Sequence, residues 1–224
     1  VRAKSPTLNA MLRRLLATTA KLPPDAEVTA TRLRLLSALG AETAAEAILA
    51  RAPRPERETV LAWAEVELGF RAGERDRACG IVRRRDPAEA TLDWRKAEVL
   101  CLAASGARQD AQFALGLLRD QAPAADRPLL DLLESLVGGL KGKVLPLEPS
   151  PLVLAAYDAA GENPPAELLA AADPGLARSL AADGALGAEL RLAAAIAAEA
   201  SGALATRTLA AIMGAAAAPP AGPE

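Results

Sequence analysis

Apolar residues recur along most of this chain at helical spacing. Residues 7–20 carry Leu8, Met11, Leu12, Leu15 and Leu16 at i, i+3, i+4, i+7 and i+8, one stripe of an amphipathic helix. Beyond it, three apolar runs each lead up to a glycine: Leu33, Leu35 and Leu36 before Gly40, Leu61, Val66 and Leu68 before Gly73, and Val99, Leu100 and Leu102 before Gly106. The glycines are 33 residues apart. Five residues after each stands an alanine (Ala45, Ala78, Ala111), and nine after each an aliphatic residue (Leu49, Val82, Leu115). Polar residues, Glu42, Glu74 and Gln109, open the segment behind each glycine, and Pro53, Pro87 and Pro123 close it.

This periodicity predicts a helix that ends, a glycine that permits the tight turn, and a second helix that runs back. The alanine marks the closest approach of the two helices, where only a small side chain fits. Proline then stops the second helix. A helix pair cannot bury both its faces alone, so successive pairs must stack. In period, hairpin glycine and following alanine, residues 26–122 resemble the tetratricopeptide repeat family. The family's early Trp is absent; Val66 and Val99 stand where its first helix has Gly, and Gly69 and Leu102 where it has Tyr.

The expected fold class is all-α: a tetratricopeptide-like helical-hairpin solenoid with a C-terminal helical capping subdomain. Residues 1–25 form an N-terminal amphipathic helix and residues 26–140 the repeats. Gly139 lies 33 beyond Gly106 and closes a fourth first helix that begins after Asp126 and Pro128. In place of its return helix, Pro-rich residues 141–151 read as an extended linker. Residues 152–213 form the capping subdomain, with helix ends at Gly161 and Gly202, and residues 214–224 a flexible tail.

Composition agrees with helix. The chain of 224 residues has 56 alanines and five aromatics, Trp63, Phe70, Trp94, Phe113 and Tyr157. Alanine is the best helix former, and strands want β-branched and aromatic residues. Net charge is −2 with both signs mixed, which argues against nucleic acid as a partner. The basic run Arg83-Arg84-Arg85 reads as a solvated helix end. The segment nearest to a membrane span, Ala188 to Met213, is interrupted by Glu189, Arg191, Glu199 and Arg207, so no membrane insertion is expected.

There is no histidine, which removes the usual nucleophile–base pairs and the commonest zinc ligand. Carboxylate pairs such as Glu65 and Glu98 exist, but nothing places a pair in an apolar cleft. No catalytic, cofactor-binding or metal-binding residue is assigned, and no cofactor is expected. Counted from the repeat register, Cys79 falls near the start of one second helix and Cys101 late in the next first helix. Stacking brings the two positions together. A disulfide there would add roughly 3 kcal/mol, and two buried thiols acting as small apolar residues are the equal alternative. The chain opens on Val1 and not Met, consistent with a processed chain or a piece of a longer one. With the cysteine pair this points to an oxidising compartment, a bacterial periplasm, with the cytoplasm as the alternative. The wealth of Ala and Arg against five Lys fits a GC-rich bacterial genome.

Arg32, Glu65 and Glu98 occupy one repeat position, eight residues before each glycine. First helices line the concave face in tetratricopeptide proteins, so the resemblance makes these residues candidate partner contacts, against a plain solvated face. Trp63 and Trp94 are either anchors for a bound peptide or, the favoured reading, core filling among alanines. The expected function is a non-catalytic protein–protein interaction scaffold in a bacterial envelope or motor-type assembly. The alternatives are a helical accessory domain of a longer enzyme, similar to the alanine-rich superhelix of soluble lytic transglycosylases, and a self-assembling structural subunit. The expected partner is another protein or further copies of the chain.

Overall fold

A computed structural model describes residues 5–18, 25–52, 59–86, 90–138 and 147–217. Among these residues the chain is all-α, with thirteen α-helices and no strand. In chain order the helices are α1 Pro6–Ala17, α2 Ala26–Ala38, α3 Glu42–Arg51, α4 Thr59–Arg71, α5 Arg75–Arg83, α6 Leu92–Ala104, α7 Arg108–Gln121, α8 Arg127–Gly138, α9 Pro151–Ala160, α10 Ala166–Ala171, α11 Pro174–Ala182, α12 Ala188–Ala200 and α13 Thr206–Ala217. The expected stops Pro53 and Pro87, the glycine Gly139 and most of the expected linker and tail (residues 141–146 and 218–224) lie outside the described residues.

The three spaced glycines each close a helix pair. α2, α4 and α6 end two residues before Gly40, Gly73 and Gly106. All three glycines have positive φ, at 77°, 74° and 81°. Each turn repeats the same pair of backbone bonds. The residue after glycine donates its N–H to the carbonyl five residues back, from Ala41 to Leu36 (2.9 Å), Glu74 to Gly69 (2.8 Å) and Ala107 to Leu102 (3.0 Å). The glycine donates to Ser37, Phe70 and Ala103 at 3.0, 3.2 and 3.0 Å. This is the Schellman termination, which needs a left-handed residue and satisfies carbonyls that the helix end leaves bare. The alanines five residues on, Ala45, Ala78 and Ala111, are fully buried. In the α4/α5 pair, a Cβ added to Gly69 would stand 3.1 Å from the Cβ of Ala78, so these two helices meet almost backbone to backbone.

One compact unit contains α4 to α10 with the first residues of α2. Here α4 to α8 pack each on the next, and α9 lies against α4, α6 and α8. The core runs from Val66 through Trp94, Leu100 and Leu118 to Leu133, Val153, Tyr157 and Leu168. The other unit contains α1, α2 from Thr31 onward, α3 and α11 to α13. Asn9, fully buried, donates from Nδ2 to the Ser201 carbonyl at 3.0 Å. Arg13 donates to the Leu39 and Gly202 carbonyls at 3.3 and 2.7 Å. Arg178 donates to the Gly40 carbonyl and pairs with Glu42, each at 2.5 Å. A Cβ on Gly40 would come within 2.8 Å of Ala203, so this glycine is fixed by packing as well as by its turn.

Two sequence expectations change. Residues 152–213 do not stay together: α9 and α10 belong to the repeat-bearing unit, and α11 to α13 to the unit holding the N-terminal helices. The reason is the broad apolar surface of α9, which buries Leu152, Val153, Ala155, Ala156 and Tyr157. Residues 214–217, assigned to the tail, continue α13, because Ala215 to Ala217 are strong helix formers. Asp126 directly precedes α8, as expected; it closes a 3₁₀ turn, Ala124–Asp126, and its carboxylate lies 2.8 Å from the Lys96 ammonium.

Candidate functional site

The helix pair α5/α6 carries the feature with most chemistry. Cys79 in α5 and Cys101 in α6 are joined by a disulfide across 22 residues of sequence, with Cα atoms 5.4 Å apart. The bond ties the second helix of one hairpin to the first helix of the next. Both cysteines are buried.

Beside it opens a groove of about 150 Å³ lined by Val82, Arg83, Arg85, Asp86, Ala90, Trp94, Glu98, Cys101 and Leu102. Its floor is apolar and its rim carries both charges. Trp94 is buried, and its ring meets half-buried Trp63 at 5.2 Å between centroids in an edge-to-face arrangement of 64°. The Arg85 guanidinium stands 5.6 Å from the centroid of Trp94, within cation–π range. Arg85 also donates to the Thr59 hydroxyl. Arg83 and Arg84 are exposed, as a solvated helix end should be. Arg85 departs from that reading, because α5 stops at Arg83 and the chain turns Arg85 back over the ring.

The three residues at equivalent repeat positions take different roles. Glu98 is exposed on the groove rim. Glu65 lies 3.6 Å from Arg77. Arg32 donates to the carbonyls of Leu16 and Thr18, satisfying the C-terminal end of α1. α9 packs on α4 and α6, the first helices of their pairs, and on α8.

Two buried polar groups were not singled out from the sequence. The Lys96 ammonium pairs with Asp126 at 2.8 Å and Asp93 at 3.3 Å. Burial alone would lower its pKa, but the two carboxylates outweigh burial and hold it above the usual lysine value. Asp93, at i−3 on the same helix, was legible in the sequence; Asp126, beyond α7, was not. Tyr157 is buried with no hydrogen-bond partner for its hydroxyl among the described residues. Burial, helped by the nearby Glu162 charge, pushes its pKa up to about 12.

Among the described residues, no group of three Cys, Asp or Glu side chains is placed to hold a metal ion, and no helix is long and apolar enough to cross a membrane. No protein family, curated protein or solved structure matches the chain.

Proposed function

We propose that this chain is a non-catalytic, tetratricopeptide-like scaffold that holds another protein in an oxidising compartment, as part of a bacterial envelope or motor-type assembly. The observation that carries this reading is the threefold repetition of one hairpin, with the same glycine conformation, turn bonds and buried alanine at a 33-residue period. Such repetition makes extended side-chain surfaces without assembling a reactive centre. The disulfide supports the compartment, since such bonds persist where thiols are not kept reduced.

The groove beside Trp94 is the contact surface this reading favours. An aromatic floor with Arg83 and Glu98 on its rim suits a peptide segment that presents an apolar side chain between charges of both signs. The test places a photo-crosslinking residue at Glu98, at Arg83 and, as control, at exposed Glu167 of α10, in cells that make the full chain. Adducts with one protein from positions 83 and 98 and not 167 are expected. That protein, purified, should then bind the chain at least about tenfold more weakly when Glu98→Arg is introduced, a loss of roughly 1.4 kcal/mol. Equal yields from all three positions, or binding indifferent to Glu98→Arg, would remove the groove from the proposal.

A further inference from the structure

Large apolar side chains on the surface are unevenly distributed. Among the described residues eight are exposed, and five of them lie on α1 and α7. On α1, Leu8, Met11 and Leu15 are 48, 63 and 69% exposed. At about 100° per residue they share an arc of roughly 60°, whose centre lies about 130° round the helix from the buried Asn9. On α7, Phe113 and Leu117 are 71 and 47% exposed, one turn apart, with exposed Gly116 beside them. Neither stripe supports the core of its own unit; both are open apolar strips on the helix surface.

The two strips have opposite fringes. Residues 6–17 include Arg13 and Arg14 and no acidic residue, and Arg14 is exposed next to the Met11 side of the strip. Arg32 adds a third positive charge at the C-terminal end of α1. On α7, exposed Asp110 and Asp120 flank Phe113 and Leu117 on the same side of the helix. An apolar strip edged with arginine and one edged with aspartate complement each other in both terms of recognition. A lipid surface of anionic headgroups would satisfy α1 but be repelled by α7.

We infer that α1 of one copy seats on α7 of a second copy, Leu8, Met11 and Leu15 against Phe113 and Leu117, with Arg14 facing Asp110 or Asp120. The contact is heterologous, because two different surfaces meet, so each copy offers one donor face and one acceptor face and the assembly grows head to tail into a ring or a filament. Two helices of 12 and 14 residues bury less than the ~1,200 Å² of a stable complex, so association is weak and reversible.

The experiment is sedimentation velocity on the full chain, from about 10 μM to about 1 mM, a range that spans weak association. Wild type should show mass that rises with concentration beyond the dimer. Met11→Asp and Phe113→Asp, both at exposed positions and checked for unchanged helicity, should each be monomeric across the range, as should Leu15→Asp and Leu117→Asp. Mixed one to one, Met11→Asp and Phe113→Asp should form a dimer and nothing larger, since one intact face remains on each. A wild type that stays monomeric to about 1 mM overturns the inference. So does a Phe113→Asp variant that still associates like wild type, which would mean that α1 pairs with itself. A mixture of the two variants that forms no dimer overturns it as well.

Discussion

Gly69 of α4 meets Ala78 of α5 almost backbone to backbone, and this contact gives the sharpest mechanical prediction. Ala78 is fully buried, and even a single methyl placed on Gly69 would stand 3.1 Å from its Cβ. Ala78→Leu adds three carbons to a position that faces backbone, with no flexible side chain to move aside. Overpacking of this kind costs about 1–3 kcal/mol, and the rigid neighbour places Ala78→Leu near the upper end. Gly69→Ala tests the same contact from the other side: a helix interior gains about 1 kcal/mol from alanine, and the 3.1 Å contact opposes it. In an Ala78→Gly background the opposition disappears and the gain should return, so the two sites should couple by about 1 kcal/mol in a double-mutant cycle. Urea unfolding followed by circular dichroism measures all four proteins, with Ala104→Leu, at an exposed position of α6, as a neutral control. A loss below about 0.5 kcal/mol for Ala78→Leu, the ordinary range of a surface change, would refute the close hairpin contact.

Further outcomes follow from the same structure. Replacing both Cys79 and Cys101 by Ala opens a 22-residue cross-link and should lower stability by roughly 3 kcal/mol, read as a shift in the urea midpoint. Gly106→Ala, at φ 81° with open space around it, should cost about 1 kcal/mol from backbone conformation alone, seen as a lower Tm. Tyr157 and Lys96 both have raised pKa values in the folded chain, so each contributes stability that is complete below its unfolded value and lost as pH rises through its folded one. For the phenol the window runs from about 10 to about 12, and Tyr157→Phe should remove roughly 3 kcal/mol of alkaline destabilisation while leaving neutral-pH stability unchanged or slightly improved, measured by pH-dependent unfolding.

Local rules made the hairpins legible. A glycine that must adopt positive φ and an alanine that must be small leave marks at fixed spacing, and Gly40, Gly73 and Gly106 end their helices as that spacing requires. Ser150 and Asp173, each followed by proline, likewise cap α9 and α11, accepting from Val153 and Leu176 at 3.2 and 2.8 Å. What periodicity does not encode is which surface meets which. The leucines of α1 form a good amphipathic stripe, yet the buried residue of that helix is Asn9. Arg32, Glu65 and Glu98 share a register position but not a role, because a register fixes the backbone and the neighbouring side chains decide the rest. The Arg85–Trp94 contact depends on how the chain leaves α5, and the placement of α9 on α4, α6 and α8 depends on pairings far apart in sequence.

The Cys79–Cys101 bond links the stacked register, the stability and the compartment, so its state in the native cell tests all three together. Protein taken from that cell is denatured and treated with a mass-tagged alkylating reagent, with and without prior reduction. Labelling of both cysteines only after reduction is the predicted result. Free labelling of both without reduction would contradict the stapled hairpins and, with them, the oxidising compartment proposed for the chain.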